Sequence, residues 1–379
     1  MRKIPCTIIR GGTSKGVYLH AEDLPQDPKE REKVILKIFG SPDKRQIDGL
    51  GGADALTSKV AIVAKSDCPD YDVIYTYGQV AIDQPAVFFR GICGNISSGV
   101  GPFAIDEGMV EAKEPVTEVR IYNTNTKKVF RAQVLVKDGK ADVYGDYSIA
   151  GVPGTGARVK LDFSQTAGAI TGKLLPTGNA RDIVTVDGYG EMEVSIVDCS
   201  VLEVYVDAKT VGIKGTETPA EIDGNEELLK KCEALRGTVA TMMGLSSAPA
   251  AAQKESANIP HLVIVSQAAD YTSYLDGSTI GKDDIDFAAR MLFMQKTHKT
   301  YAGTGSVCTS VAAMIPGTVV NQYMSEEAKK RNEIRIGHPG GVINVETSVS
   351  TQEGSAKVDY VEFSRTARRI MDGFVYIRD

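Results

Sequence analysis

A two-residue alternation of apolar and polar positions dominates this chain. It runs through VIYTYGQVAI, AVFFRGI, VTEVRIYN, KVFRAQVLV and KADVYGDYSI in the first half, and through EMEVSIV, LEVYVDA, HLVIVSQ, VINVETSVS and AKVDYVEFS in the second. Each run is bounded by polar or glycine-containing turns, the signature of strands. Helical spacing is rarer. It predicts helices over Pro28 to Phe39, Asn95 to Glu111, Glu226 to Met243, Lys282 to Met294, Gly305 to Ile315 and Glu326 to Asn332.

Two of these helices share a design. Both follow small-residue turns, GICGNISSGVGPFAI with Cys93 before Gly94 and Asn95, and TYAGTGSVCTSVAAMIPG with Gly303, Thr304, Gly305 and Ser306. In the second, Val307, Val311, Ala312 and Ile315 leave no wide charged face, so this helix is expected to lie buried inside a wrap of strands. A buried helix after a glycine turn, once per half, predicts an α+β fold of two similar domains with a cleft between them. The boundary is placed near Ile183, giving domains over residues 1–183, completed or not by the C-terminal tail, and 184–379.

The same turns leave backbone N–H groups unpaired at the positive end of a helix dipole, a ready place for a carboxylate or phosphate. The pair points to a small dianion. The 379 residues carry a net charge of −6 with no basic run, which argues against nucleic acid and against an anionic membrane surface. No stretch approaches about 18 apolar residues and the amino terminus lacks a leader-like core, which points to the cytoplasm. Six cysteines without CxxC spacing and four histidines without HExxH spacing signal no zinc site and no disulfide framework, so no metal is expected.

Lys59 opens TSKVAIVAK, whose continuous apolar run reads as a strand buried on both faces. Burial would lower the lysine's pKa and let its amine act as a base near neutral pH; the competing reading has Lys59 capping the strand edge. Cys93, before a helix start, sits where a thiolate is favoured and can exchange a proton with carbon. Its competing reading is a buried structural cysteine. Cys308 lies inside its helix and reads as core. The loops RGGTSKG, with Thr13 and Ser14, and RQIDGLGGADALTSK match neither the phosphate-binding GxxxxGK[ST] nor the dinucleotide GxGxxG pattern. They are expected to line the cleft. His298 either orients a carboxylate or is structural.

In order along the chain, RGGTSKG, RQIDGLGG, TSKVAIV, CGN, LLPTGN, IPGTVVN, GHPGG and SRTARRIMDGF resemble the PrpF-type 2-methylaconitate isomerase family, from Arg10 to the end. That family resembles diaminopimelate epimerase in fold. The resemblance implies two pseudo-symmetric domains, each a central helix wrapped by mainly antiparallel strands, and proton transfer without a cofactor. In the epimerase pattern a cysteine begins both helix turns; here Ala302 takes the second place, which speaks against a two-thiol racemase. The resemblance places the acid/base pair at Lys59 and Cys93.

Members of this group shift a proton and a double bond within small unsaturated di- or tricarboxylates, 3-methylitaconate, 2-methylaconitate or 4-oxalomesaconate. The length of the chain and its lack of insertions favour the 3-methylitaconate Δ-isomerase reading, with 2-methylaconitate cis-trans isomerase and 4-oxalomesaconate tautomerase as alternatives. The carboxylates would be held by the N–H groups of Gly94, Asn95 and Gly303 to Ser306, with Thr13 and Ser14 assisting. A homo-oligomer is expected. A non-catalytic anion-binding accessory protein is the alternative of another class.

Overall fold

The computed structural model describes residues 1–352 and 355–378. It divides into two compact units, Met1–Asp162 with Ser364–Asp379, and Phe163–Phe363. The chain enters the second unit upstream of Ile183, which lies in the strand Asp182–Val186 of that unit. The Pro/Gly-rich stretch GVPGTGAR runs into the strand Arg158–Asp162 of the first unit, whereas LLPTGNARD lies within the second unit.

In the first unit the strand Ser14–His20 runs parallel to Lys59–Lys65. Lys59–Lys65 is antiparallel to Val73–Val80, which runs parallel to Val116–Asn123, itself antiparallel to Lys128–Lys137. The parallel crossover carries the helix Pro28–Phe39. Its start is set locally by Asp27, whose carboxylate accepts from the Glu30 N–H, and by Pro28 in the first turn; Gly40 at φ 72° ends it. Val34, Ile35, Ile38 and Phe39 pack this helix on Val60 and Ile62. Strand alternation therefore turns Lys59, Ala61 and Val63 to the opposite face, toward the central helical segment that starts at Gly94.

That segment is two short helices, Gly94–Ser97 and Val100–Asp106, instead of one helix over Asn95 to Glu111. Pro102 has no N–H to return to the Ser98 carbonyl, which breaks the ladder, and the chain turns away at Gly108 with φ 70°.

The second unit repeats the order of pairings. Val201–Asp207 runs parallel to His261–Gln267 across a crossover that carries the helix Glu226–Met242. His261–Gln267 is antiparallel to Phe287–Phe293, which is parallel to Glu333–His338, and this pairs antiparallel with Gly341–Gln352. Val204, Val206 and Ile264 pack against Leu228, Cys232, Leu235 and Val239 of the crossover helix. The other face takes the helix Gly303–Met314, buried from Gly303 through Ala313. Each unit is thus a helix wrapped by mainly antiparallel strands, an α+β fold of the diaminopimelate epimerase kind.

Two expected elements change. Residues 282–294 hold a 3-10 turn, Lys282–Asp284, and the strand Phe287–Phe293 in place of a helix. FAARMLF is buried on both faces, so it lacks alternation, and Asp284 accepts from Gly281 N–H in a short turn that mimics a helix cap. KADVYGDYSI forms a strand at Lys140–Ala141 and a single bridge from Tyr147 to Gly156, and AVFFRGI forms a strand at Val87–Phe88. The strand beginning at Ser355 continues through SRTARRIMDGF to Ile377, longer than its alternation suggested. Among the described residues no helix is long and apolar enough to cross a membrane.

Candidate active site

The first unit gathers its chemistry around the Cys93–Ser97 turn. Lys59 starts its strand with 2% of its surface exposed, and its Nζ donates to Gln79 Oε1 at 2.6 Å and to the Tyr77 hydroxyl at 3.1 Å. Tyr77 passes its own proton to Gln79 Oε1 at 2.7 Å. The Gln79 amide donates from Nε2 to the carbonyls of Ala55 and Ser58, both at 3.1 Å. Two donors on its oxygen and two acceptors on its nitrogen fix the orientation of that amide.

Lys59 is therefore held by neutral acceptors. Burial pulls its pKa below the ordinary lysine value, against the opposing charges of Cys93 and Asp54. Burial also holds Tyr77 well above the usual phenol range, with Cys93 adding to the rise by charge and by a side-chain hydrogen bond. Tyr77 thus stays a neutral hydroxyl touching both Lys59 and Cys93. The strand-edge reading of Lys59 does not fit this burial.

Cys93 is the residue before the first helical turn, in extended backbone at φ −109° and ψ 106°. Its carbonyl accepts from Ser97 N–H at 2.8 Å, which leaves the N–H groups of Gly94, Asn95 and Ile96 in the first turn without intrahelical acceptors. Asn95 is locked on both sides: Nδ2 donates to Thr13 Oγ1 at 3.0 Å, and Oδ1 accepts from Arg365 Nε at 2.9 Å. The hairpin at Gly11–Ser14 closes on it. Gly12, at φ 51°, has room for no side chain, since a Cβ there would fall 2.1 Å from Asn95 Oδ1. Ser14 is 2% exposed and its Oγ has no hydrogen-bond partner among the described residues.

In the second unit Ala302 is the residue before the Gly303–Met314 helix. Ser306 N–H donates to the Ala302 carbonyl at 2.8 Å, and its Oγ to the Gly303 carbonyl at 2.8 Å. Both Ser306 donors serve the helix itself, so the first-turn N–H groups that lack intrahelical acceptors are those of Gly303, Thr304 and Gly305. His298 is buried, and its Nδ1 accepts from Thr300 N–H at 3.2 Å, which leaves the proton of a neutral ring on Nε2. Cys308 donates to the Val197 carbonyl at 3.3 Å and burial pushes its thiol far up, so it is core.

Sequence reasoning passed over three groups. Tyr75, Tyr77 and Gln79 occupy alternate positions of VIYTYGQV, a polar inner face that was visible as such. Glu203 and Tyr205 do the same in LEVYVDA: Glu203 accepts from Tyr205 at 2.5 Å and Thr309 at 3.0 Å and meets His261 Nδ1 at 2.9 Å. The third is Arg365, within SRTARRIMDGF.

With this geometry in hand, comparison with known proteins is decisive at the family level. The PrpF protein family model matches residues 1–378. The chain belongs to the PrpF family. It is 51% identical to a 3-methylitaconate isomerase of Eubacterium barkeri over 99% of this chain and 97% of that protein. It is 37% identical to a 2-methyl-aconitate isomerase of Cupriavidus necator, again over 99% and 97%. A crystal structure of a methylitaconate Δ-isomerase superposes with a TM-score of 0.80 at 50% identity, covering 99% of this PrpF-family chain and 96% of the other. A hydroxyproline epimerase from Agrobacterium vitis, 14% identical with a TM-score of 0.58 over 100% and 94%, shares the fold.

Proposed function

We propose that this PrpF-family protein is a cofactor-independent isomerase that converts 3-methylitaconate to 2,3-dimethylmaleate. The observation that carries the chemistry is the desolvated Lys59, held by neutral Gln79 and Tyr77 within electrostatic reach of Cys93. The choice of substrate leans on the 51% identity to the Eubacterium barkeri enzyme.

The proton to be removed sits on the methyl-bearing carbon, beside a carboxylate and next to the methylene-bearing carbon. Neutral Lys59 takes it. The electron pair left behind forms the new internal C=C bond, and the former methylene accepts the Cys93 proton and becomes a methyl group. The Lys59 ammonium then returns its proton to the Cys93 thiolate, and Tyr77, which touches both, keeps the two groups in register. No electron leaves the substrate, so the reaction calls for no redox partner.

The intermediate carries a third negative charge on a dianion, and donors aimed at its carboxylates lower the barrier; removing one such donor costs about 3 to 4 kcal/mol in comparable sites. We assign one carboxylate to the N–H groups of Gly94 and Asn95 with Ser14, whose buried Oγ has no partner among the described residues. Thr13 orients Asn95. Taken by itself, the first turn of the second unit's Gly303–Met314 helix has the same positive end and suits an anion.

Proton NMR in D2O with 3-methylitaconate, 2-methylaconitate and 4-oxalomesaconate offered separately tests this reading. Conversion of 3-methylitaconate with deuterium entering the new methyl group is the expected result. Lys59→Ala and Cys93→Ala each lower kcat by about 100-fold or more, the usual range for a lost acid or base. Activity within about threefold of wild type in both variants sinks the assignment.

A further inference from the structure

We propose that Arg365 is the cationic anchor for the substrate carboxylate beside Cys93. This rests on the dicarboxylate isomerase reading and adds a residue that reading does not use.

Arg365 lies on the long strand just after the chain re-enters the first unit at Ser364. Only 5% of its surface is exposed. Its side chain is aimed by two bonds to neutral oxygens, Nε to Asn95 Oδ1 and an Nη to the Ser364 carbonyl, both at 2.9 Å. Its Cδ packs against Gly12, where a Cβ would stand 3.0 Å away. The guanidinium is thereby fixed at the turn that carries Gly94 and Asn95. Burial pulls its pKa to about 10, and the charges of Tyr147 and Cys93 act in the opposite direction.

A second arginine reinforces the field. Arg10 spans the same hairpin through bonds to the Thr366 carbonyl at 2.5 Å, Thr366 Oγ1 at 2.9 Å and the Gly12 carbonyl at 3.2 Å. In a chain of net charge −6, the Gly11–Ser14 hairpin is flanked by two guanidiniums and carries the unpartnered Ser14 hydroxyl. A rigid planar cation matches a carboxylate in shape as well as charge. Its charge also rises in worth as the negative charge of the intermediate spreads onto that carboxylate.

The test reads binding apart from turnover. Calorimetry compares succinate with its monoamide on the wild type, Arg365→Gln and Arg365→Lys, each also in the Cys93→Ala background. The expected result is a loss of about 30-fold or more in succinate affinity for Arg365→Gln, about 2 kcal/mol, with the monoamide much less affected. Lysine should restore part of that loss, and the loss should persist without the thiol. Equal affinities of wild type and Arg365→Gln for succinate would overturn the anchor. So would a loss that vanishes in the Cys93→Ala background, which would make Arg365 a partner of the thiol. Because these measurements need no turnover, they stand even if 3-methylitaconate proves not to be the substrate. If Arg365→Gln unfolds, Arg365→Lys decides the point: weaker succinate binding with the monoamide little changed supports the anchor, and succinate affinity equal to that of the wild type overturns it.

Discussion

Replacing Gln79 with glutamate is the sharpest test of which group removes the proton. The side-chain oxygen at this position sits 2.6 Å from Lys59 Nζ. A full negative charge at that distance is worth about 6 kcal/mol at an effective dielectric of about 20. Burial of the new carboxylate and loss of the Nε2 donors to the Ala55 and Ser58 carbonyls offset much of that gain. A net rise of about two units in the Lys59 pKa is a conservative remainder, equal to about 2.7 kcal/mol.

If neutral Lys59 is the base, activity requires its deprotonated form. The wild-type acid limb then lies below the ordinary lysine value of 10.5, because burial lowers the pKa. In Gln79→Glu that limb moves up by about two units, so kcat at pH values below the wild-type limb falls by up to about 100-fold and recovers as the pH is raised. Gln79→Leu removes the acceptor without adding charge. It withdraws support from the ammonium, so its acid limb moves down. The assay is kcat against pH for all three proteins, read from the decay of the methylene proton signals. Identical limbs would refute the placement of the base at Lys59. Higher activity of Gln79→Glu at neutral pH would transfer the base role to Cys93, with Lys59 as the cationic donor.

Two further outcomes follow from the geometry. Gly12→Ala must push Asn95 off its Thr13 and Arg365 bonds while forcing alanine to φ 51°, so about 2 to 4 kcal/mol of stability should be lost, visible as a lower urea midpoint with unchanged slope, together with at least about a tenfold fall in kcat/KM. Burial raises the Glu203 carboxyl above its ordinary 4.5; the folded protein then binds this proton more tightly than the unfolded chain, so the group's stabilising contribution is complete below that value and is lost as the pH rises through the raised pKa. Glu203→Gln should flatten that part of the stability curve, and urea titrations from about pH 4 to 7 that give parallel curves for both proteins would contradict it.

The parts of this molecule that were legible in the sequence are those whose cause is local. The helix Pro28–Phe39 has its stop and start signals within a residue of its ends, in Asp27, Pro28 and Gly40. Lys59 declared itself because the apolar run that buries it follows it directly. Phe287–Phe293 was misread because burial on both faces erases alternation. Pro102 was in plain view, but its effect on the turn after Cys93 depends on where that turn begins. Arg365 gains its meaning from Asn95, which lies 270 positions away in the chain. No window of neighbouring residues contains that pair.

Register explains why the two units, alike in topology, differ in chemistry. Lys59 pairs with Gly16 across the parallel strands of the first unit, and His261 pairs with Glu203 at the corresponding place in the second. The space over Gly16 is closed by the Ile96 side chain. At the matching helix position stands Gly305, and Met291 Cε and Glu203 Oε1 together fill the room that its missing Cβ leaves. The exchange is complementary in volume but opposite in consequence. In the first unit a hydrocarbon wall faces a lysine that donates to the neutral Tyr77 and Gln79, and burial lowers its pKa toward the free amine that the proposed proton abstraction requires. In the second, the carboxylate is engaged by His261, Tyr205 and Thr309, and the residue before the helix is Ala302 in place of a thiol. A carboxyl committed to three protein partners is not presented to a substrate, and an alanine has no proton to exchange. On the proposed assignment the proton transfer therefore belongs to the first unit, while the second unit keeps the helix turn that both share in their architecture.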